Sequence, residues 1–238
     1  MKKIKAVLFD LDGTLLPMDM DKFTADYMKR LCAYLAPLGY EPSLVAEAMW
    51  HGIGAMVKND GTSTNEDAFW QVFTKRFGEK ALKEKETLVE FYRTEFPKVQ
   101  PSCGYDPKAK EAVDTIKNLG YRTVLATNPL FPAMATEHRI HWAGLDTKDF
   151  EFFTAYEDSR FCKPNLEYYK DVLARAKLSA EECVMVGNDA TEDMIAEKLG
   201  MKVFLLTDNL LNKNGVDISG YPQGSFDELV EFIKGLNR

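Results

Sequence analysis

The chain has no long apolar run and no excess of basic charge. No window approaches the roughly 20 consecutive apolar residues of a membrane span, so a membrane partner is not expected. Thirty Lys and Arg are outnumbered by 37 Asp and Glu, leaving a formal net charge of −7. A nucleic-acid backbone is gripped by a basic patch, so this balance excludes a nucleic-acid surface. Cysteine is sparse: Cys32, Cys103, Cys162 and Cys183 are scattered, with neither metal-ligand spacing nor the density of a disulfide scaffold. They read as free thiols in a reducing compartment. The apolar stretch nearest the amino terminus is too short for a secretory signal and is broken by Asp10, so a cytoplasmic location is expected. Repeats and low-complexity segments are absent. His51, His138 and His141 read as surface or structural positions.

What is present is an ordinary globular composition, 45% apolar and 28% charged over 238 residues, enough for a sizeable core plus a smaller unit. Between residues 17 and 100 the pattern is helical. Phe23, Tyr27, Leu31, Tyr34, Leu35 and Leu38 recur at helical spacing, and further helices are predicted over 42–57, 65–77 and 79–96. Gly52 and Gly54 mean that the second helix is either broken there or closely approached by a neighbour. After residue 100, strands and helices alternate. Strands are predicted over 122–126, 150–155, 183–186 and 202–206, and helices over 107–119, 134–142, 165–177, 192–199 and 227–236. Such alternation builds a parallel sheet covered on both faces. The expected architecture is α/β: a Rossmann-like, doubly wound core from 1–16 and 101–238, with an all-helical insert, 17–100, hanging over the crevice as a lid.

The most informative stretch is Ile4-Lys5-Ala6-Val7-Leu8-Phe9-Asp10-Leu11-Asp12-Gly13-Thr14-Leu15-Leu16. A short apolar run opening into Gly reads as a buried strand and turn. Residues i and i+2 of an extended chain face the same side, so Asp10 and Asp12 face one site. Two carboxylates held that close repel, a cost accepted when a cation lies between them or one must be protonated. Ligands of open parallel sheets bind at the carboxyl ends of the strands. Thr127-Asn128 and Asn188-Asp189 close two other strands, and Lys163-Pro164 follows a fourth element. All four segments are expected to meet at one crevice. Each alone has an ordinary reading as a turn, a cap or a solvated lysine, and their order along the chain is what carries the expectation.

That order resembles the haloacid dehalogenase superfamily, mostly phosphatases. Asp10-Leu11-Asp12-Gly13-Thr14-Leu15 looks like its first motif, Thr127-Asn128 its second and Lys163-Pro164 its third. Gly187-Asn188-Asp189-Ala190-Thr191-Glu192-Asp193 resembles its acidic fourth motif, and the helical insert resembles its helical cap. The resemblance implies a Mg²⁺-dependent phosphatase acting on a small phosphate ester. Asp10 would be the nucleophile, and Asp12 the acid and base that also offers a backbone carbonyl to the metal. Thr127 and Lys163 would bind and neutralise the phosphoryl group, with donors near Leu11 and Asn128. Dehalogenases of the family lack the second Asp, so Asp12 favours phosphoryl transfer. In the fourth motif either Asn188 replaces the first acid and Asp193 is the second, or Asp189 and Asp193 form the pair. The expected assignment takes Asp189 as the metal-side acid, with Asn188 a weaker ligand and Asp193 supporting Lys163 or a metal water. A phosphomutase or phosphotransferase, and a non-catalytic binding protein, are the alternatives. A monomer or a homodimer is expected.

Overall fold

In the computed structural model, which describes residues 3–236, the first strand sends alternate residues to opposite faces. Val7 and Phe9 of β1 (Ala6–Phe9) join one apolar cluster, and Ala6 and Leu8 join another. The same split recurs in β2 (Arg122–Leu125), β3 (Cys183–Gly187) and β4 (Lys202–Leu206). This period-2 division buries both faces, as a parallel sheet requires. With β5 (Gln223–Gly224) the order is β2-β1-β3-β4-β5, every pairing parallel. One face is covered by α6 (Pro107–Asn118), α7 (Ala133–Trp142) and α9 (Phe226–Gly235), the other by α8 (Leu166–Ala176).

Between β1 and β2 the chain is helical: α1 (Met20–Leu35), α2 (Pro42–Val57), α3 (Asn65–Phe77), α4 (Lys80–Lys83) and α5 (Lys85–Thr94). Asp19 caps α1, accepting from the N–H groups of Asp21 and Lys22. α2 runs unbroken through its glycines. A Cβ on Gly52 would lie 2.5 Å from the Phe69 ring, so close helix packing explains that glycine. Aromatic contacts join this cap to the core: Phe131 lies 5.4 Å from Tyr27 and 6.0 Å from Phe23, ring centre to ring centre. Polar contacts join them too. The buried Asn65 amide donates to Pro129 O at 3.2 Å and to Cys162 Sγ at 3.3 Å.

Three elements differ from expectation. The predicted strand over 150–155 is not formed. Its backbone bonds to Thr123 and Leu125, but the 3₁₀ turn Thr147–Asp149 and the turn at 156–158 limit the pairing to one bridge, Leu125–Phe153. The predicted helix over 79–96 divides at Glu84 into α4 and α5 and continues as a 3₁₀ segment, Phe96–Ser102. The helix expected over 192–199 is a 3₁₀ segment, Met194–Leu199.

Candidate active site

Register places the site. Asp10 N–H donates to Val186 O at 2.9 Å, and Ala126 N–H donates to Phe9 O at 2.7 Å. The residues that follow β1, β2 and β3 therefore begin at one level, at the carboxyl ends of three adjacent strands. Asp10, Thr127 and Asn188 come together there because of the pairing, not because of local sequence.

Lys163 enters from the loop before α8. Its ammonium donates to Asp10 Oδ1 at 2.8 Å and to Asp193 Oδ1 at 2.7 Å. Only 2% of Lys163 is exposed. Burial pulls its ammonium down, but Asp10 and Asp193 outweigh this and hold it well above the usual lysine range. Asp193 is equally buried. Burial, reinforced by the Asp10 charge, pushes it up to about 7 against the pull of Lys163. Its other oxygen accepts from Asp189 N–H at 3.0 Å. Gly187 is required here by space: a Cβ would meet Asp193 Oδ2 at 2.0 Å.

The fourth motif turns in a way its spacing leaves open. Asp189 Oδ1 accepts from the N–H groups of Thr191 and Glu192, at 2.7 and 2.9 Å, and so caps the turn that follows. Asn188 is the residue set against the β1 turn. Its Nδ2 donates to Asn209 O at 2.7 Å, which turns Oδ1 toward Thr14. Thr14 Oγ1 lies 3.0 Å from Asp10 Oδ2 and 2.9 Å from Asn188 Oδ1. One hydroxyl carries one proton, so it satisfies only one of these two acceptors at a time. Gly13, at φ +83°, makes the turn, and a Cβ there would strike Asn188 Nδ2 at 2.4 Å.

Thr127 is buried, and its carbonyl is fixed by Thr154 Oγ1 at 2.6 Å and Tyr168 OH at 2.8 Å. Asn128 Oδ1 accepts from Lys163 N–H at 3.3 Å, and its Nδ2 donates to Glu192 Oε2 at 3.0 Å. Among the described residues, the N–H groups of Leu11 and Asn128 donate to no other protein group, so both are free for an anion.

Burial pushes the Glu192 carboxyl up to about 7, with Lys163 opposing and Asp189 and Asp10 adding. An unfolded Glu titrates near ~4.3. The folded state thus holds this proton more tightly. The group's stabilising contribution is complete below the unfolded value and is lost as pH rises through about 7. Glu192→Gln is expected to shrink the fall in urea midpoint of the metal-free protein between pH 5.5 and 8. An unchanged pH dependence would show that Glu192 titrates normally.

Two site residues carried no role in the sequence reading. Thr14 was visible in its motif, though without a function. Arg139 of α7 is fully buried and forms an ion pair with Asp12 Oδ2. Its signal was helical spacing: Ala135, Thr136, Trp142 and Ala143 set position 139 on the buried stripe of α7. Asp12 Oδ1 is buried and, among the described residues, has no hydrogen-bond partner. Burial raises Asp12 above the usual carboxylate value, with Arg139 opposing and Asp10 adding.

A cavity of about 570 Å³ lies between the cap and the loop 130–134, lined largely by apolar side chains of α1, α2, α3 and α5. Neither Asp10 nor Asp12 lines it. Phe131 does, and the same ring carries the Arg139 guanidinium, 4.5 Å from its centre.

A sheet with acidic, hydroxyl and lysine groups gathered at its carboxyl edge beneath a helical cap defines a class of hydrolase. Residues 4–200 match the haloacid dehalogenase-like hydrolase family, and the chain belongs to it. It is an enzyme of the phosphatase type among which its curated relatives fall. A glyceraldehyde 3-phosphate phosphatase of Methanothermobacter thermautotrophicus is 26% identical over 226 residues, 91% of this chain and 94% of that protein. Among solved structures, a HAD phosphatase from Thermococcus onnurineus is similar at TM-score 0.60 and 20% identity, covering 99% of this chain and 100% of that one. A 2-haloacid dehalogenase from Pseudomonas syringae pv. Tomato is similar at TM-score 0.64 and 20% identity, covering 97% and 98%. These two structures share the fold. No described helix is long and apolar enough to cross a membrane.

Proposed function

We propose that the chain is a Mg²⁺-dependent phosphatase that hydrolyses a small phosphorylated metabolite through an aspartyl-phosphate on Asp10. The observation that carries this reading is the buried Asp10–Lys163–Asp193 group at the shared carboxyl ends of β1 and β3. Lys163 holds Asp10 in place through its ammonium, and Asp193 holds Lys163. An Asp10 oxygen attacks phosphorus, a new P–O bond forms, and the ester P–O bond breaks. Asp12 gives its proton to the departing alcohol oxygen and then takes one from the water that attacks the aspartyl-phosphate. Inorganic phosphate leaves and Asp10 is restored. Thr127 and the N–H groups of Leu11 and Asn128 donate to the phosphoryl oxygens, whose charge Lys163 offsets.

The donor set fits a hard cation. Among the described residues no three His, Cys, Asp or Glu side chains form a metal cluster. Mg²⁺ keeps several waters and needs only a few protein oxygens. Asp10 and Asn188 present two acceptors to one Thr14 hydroxyl, and a cation would supply what that single proton does not. Asp10, Asn188 and the Asp12 backbone carbonyl would hold the ion, with Asp189 as cap and Asp193 as partner of Lys163. The ion's chemistry there is neutralisation of the anionic phosphoryl group as a carboxylate approaches.

The cap packs through Asn65 against the loops that carry Asn128 and Lys163, and a lid so placed favours small substrates. The curated relatives' printed substrate, glyceraldehyde 3-phosphate, heads the panel to test. Release of inorganic phosphate from a panel of phosphate monoesters is expected with Mg²⁺. Chelation is expected to lower it by about 10²-fold or more and added Mg²⁺ to restore it. A sugar phosphate isomerised without phosphate release, or turnover indifferent to chelator, would reject the reading.

A further inference from the structure

Arg139 is an unusual residue to bury. Its guanidinium is held by its own helix, Nε donating to Ala135 O at 3.2 Å and Nη2 to Thr136 Oγ1 at 3.2 Å, while the Phe131 ring supports one face. The start of α7 is held in turn, because both Glu157 carboxylate oxygens accept from Ala133 N–H at 3.0 Å. The remaining donor, Nη1, engages Asp12 Oδ2. The held guanidinium thus takes one oxygen of Asp12 and leaves the other, Oδ1, buried and, among the described residues, without a partner. An unsatisfied buried oxygen costs stability, and such a cost points to a group that arrives later. Asp12 has rotational freedom about χ1 and χ2, and productive proton transfer needs a fixed approach.

We propose that Arg139 is the positioning residue of the proton-transfer step, holding Asp12 by Oδ2 so that Oδ1 meets the leaving-group oxygen. This rests on the phosphatase reading above. Arg139 touches neither phosphorus nor the alcohol and acts only through Asp12. The proton moves from Asp12 Oδ1 to the alcohol oxygen as the ester P–O bond breaks.

The test compares two esters with the same phosphoryl group. Phenyl phosphate needs its leaving oxygen protonated, whereas 2,4-dinitrophenyl phosphate does not. Arg139→Met is expected to lose about 10²-fold in kcat/KM, which reports the steps through alcohol release, on phenyl phosphate and much less on the dinitrophenyl ester, while kcat, which includes the later hydrolysis that Asp12 also serves, is expected to fall on both. Arg139→Lys, which keeps the charge and loses the fork, is expected to show the same pattern more mildly, and it carries the test if the Met variant does not fold. Combined with Asp12→Asn, either substitution is expected to add nothing on phenyl phosphate. Equal losses of kcat/KM on both esters, no loss on either, or additivity with Asp12→Asn in kcat/KM would overturn the proposal. Asp12→Asn assayed alone separates the two levels of argument. If it loses equally in kcat/KM on both esters, the acid assignment itself fails, and this proposal fails with it.

Discussion

Asp10→Asn is expected to abolish turnover, by about 10⁴-fold or more in kcat, while the protein stays folded. The amide is nearly isosteric but is no nucleophile. The fold should tolerate it for an electrostatic reason. Lys163 faces two carboxylates, and removing the Asp10 charge leaves a matched pair, Lys163 with Asp193. The Asp10 charge is also one of the influences that raise Asp193, so Asp193 should ionise more readily in the variant. Phosphate release under saturating substrate, with a urea melt beside it, checks both halves. Full turnover would reject Asp10 as the nucleophile. A collapsed melt would show that the buried group is balanced differently.

Lys163→Met should be the opposite kind of variant, damaging both activity and stability. It leaves Asp10 and Asp193 buried with their shared cation gone. Breaking a buried ion pair from one side costs about 3–5 kcal/mol, more than most single substitutions. The sign with pH follows from the chemistry. Without the ammonium the two carboxylates can be relieved only by protonation, so the deficit should be smaller at pH 5 than at pH 8. Urea unfolding of wild type and variant at the two pH values measures this. A deficit that is small, or larger at pH 5, would contradict the triad described above.

The contrast between these variants reflects how differently the site's parts were written into the sequence. Asp10 and Asp12 were legible because an apolar strand ends abruptly in two acids at period-2 spacing, and the strand alone implies a shared direction. Thr127 and Lys163 acquired meaning only through order along the chain, since a capping Thr and a lysine before a helix are locally ordinary. The fourth motif left two registers open because spacing cannot say which way the chain turns after β3. The turn is decided by Asp189 capping Thr191 and Glu192, which brings Asn188 against Thr14. The metal-side preference for Asp189 therefore gives way, in the proposed mechanism, to Asn188.

Arg139 was hidden for another reason. A charged residue in a helix defaults to solvent, and only the identity of its neighbours on the buried stripe argues otherwise. Its partner lies 127 positions away in sequence, a separation no local pattern reports. The strand expected over 150–155 failed because the segment has strand-like composition but only one bridge to pair with, and pairing is tertiary. The first cap helix was legible from its apolar stripe, Phe23, Tyr27, Leu31 and Leu35 among it. The Asn65 amide that fastens α3 to the loops at Pro129 and Cys162 was not, because from the sequence Asn65 is only the first residue of a helix.

Covalent chemistry at Asp10 is the claim on which the mechanism stands. The direct measurement is an acid quench of the Mg²⁺-loaded enzyme during turnover of a ³²P-labelled phosphate ester, followed by digestion and mapping of the label. A hydroxylamine-labile phosphoryl group on the peptide carrying Asp10, absent from Asp10→Asn, is the predicted result. Label on another residue, or steady turnover with no label on the enzyme at any quench time, would contradict it.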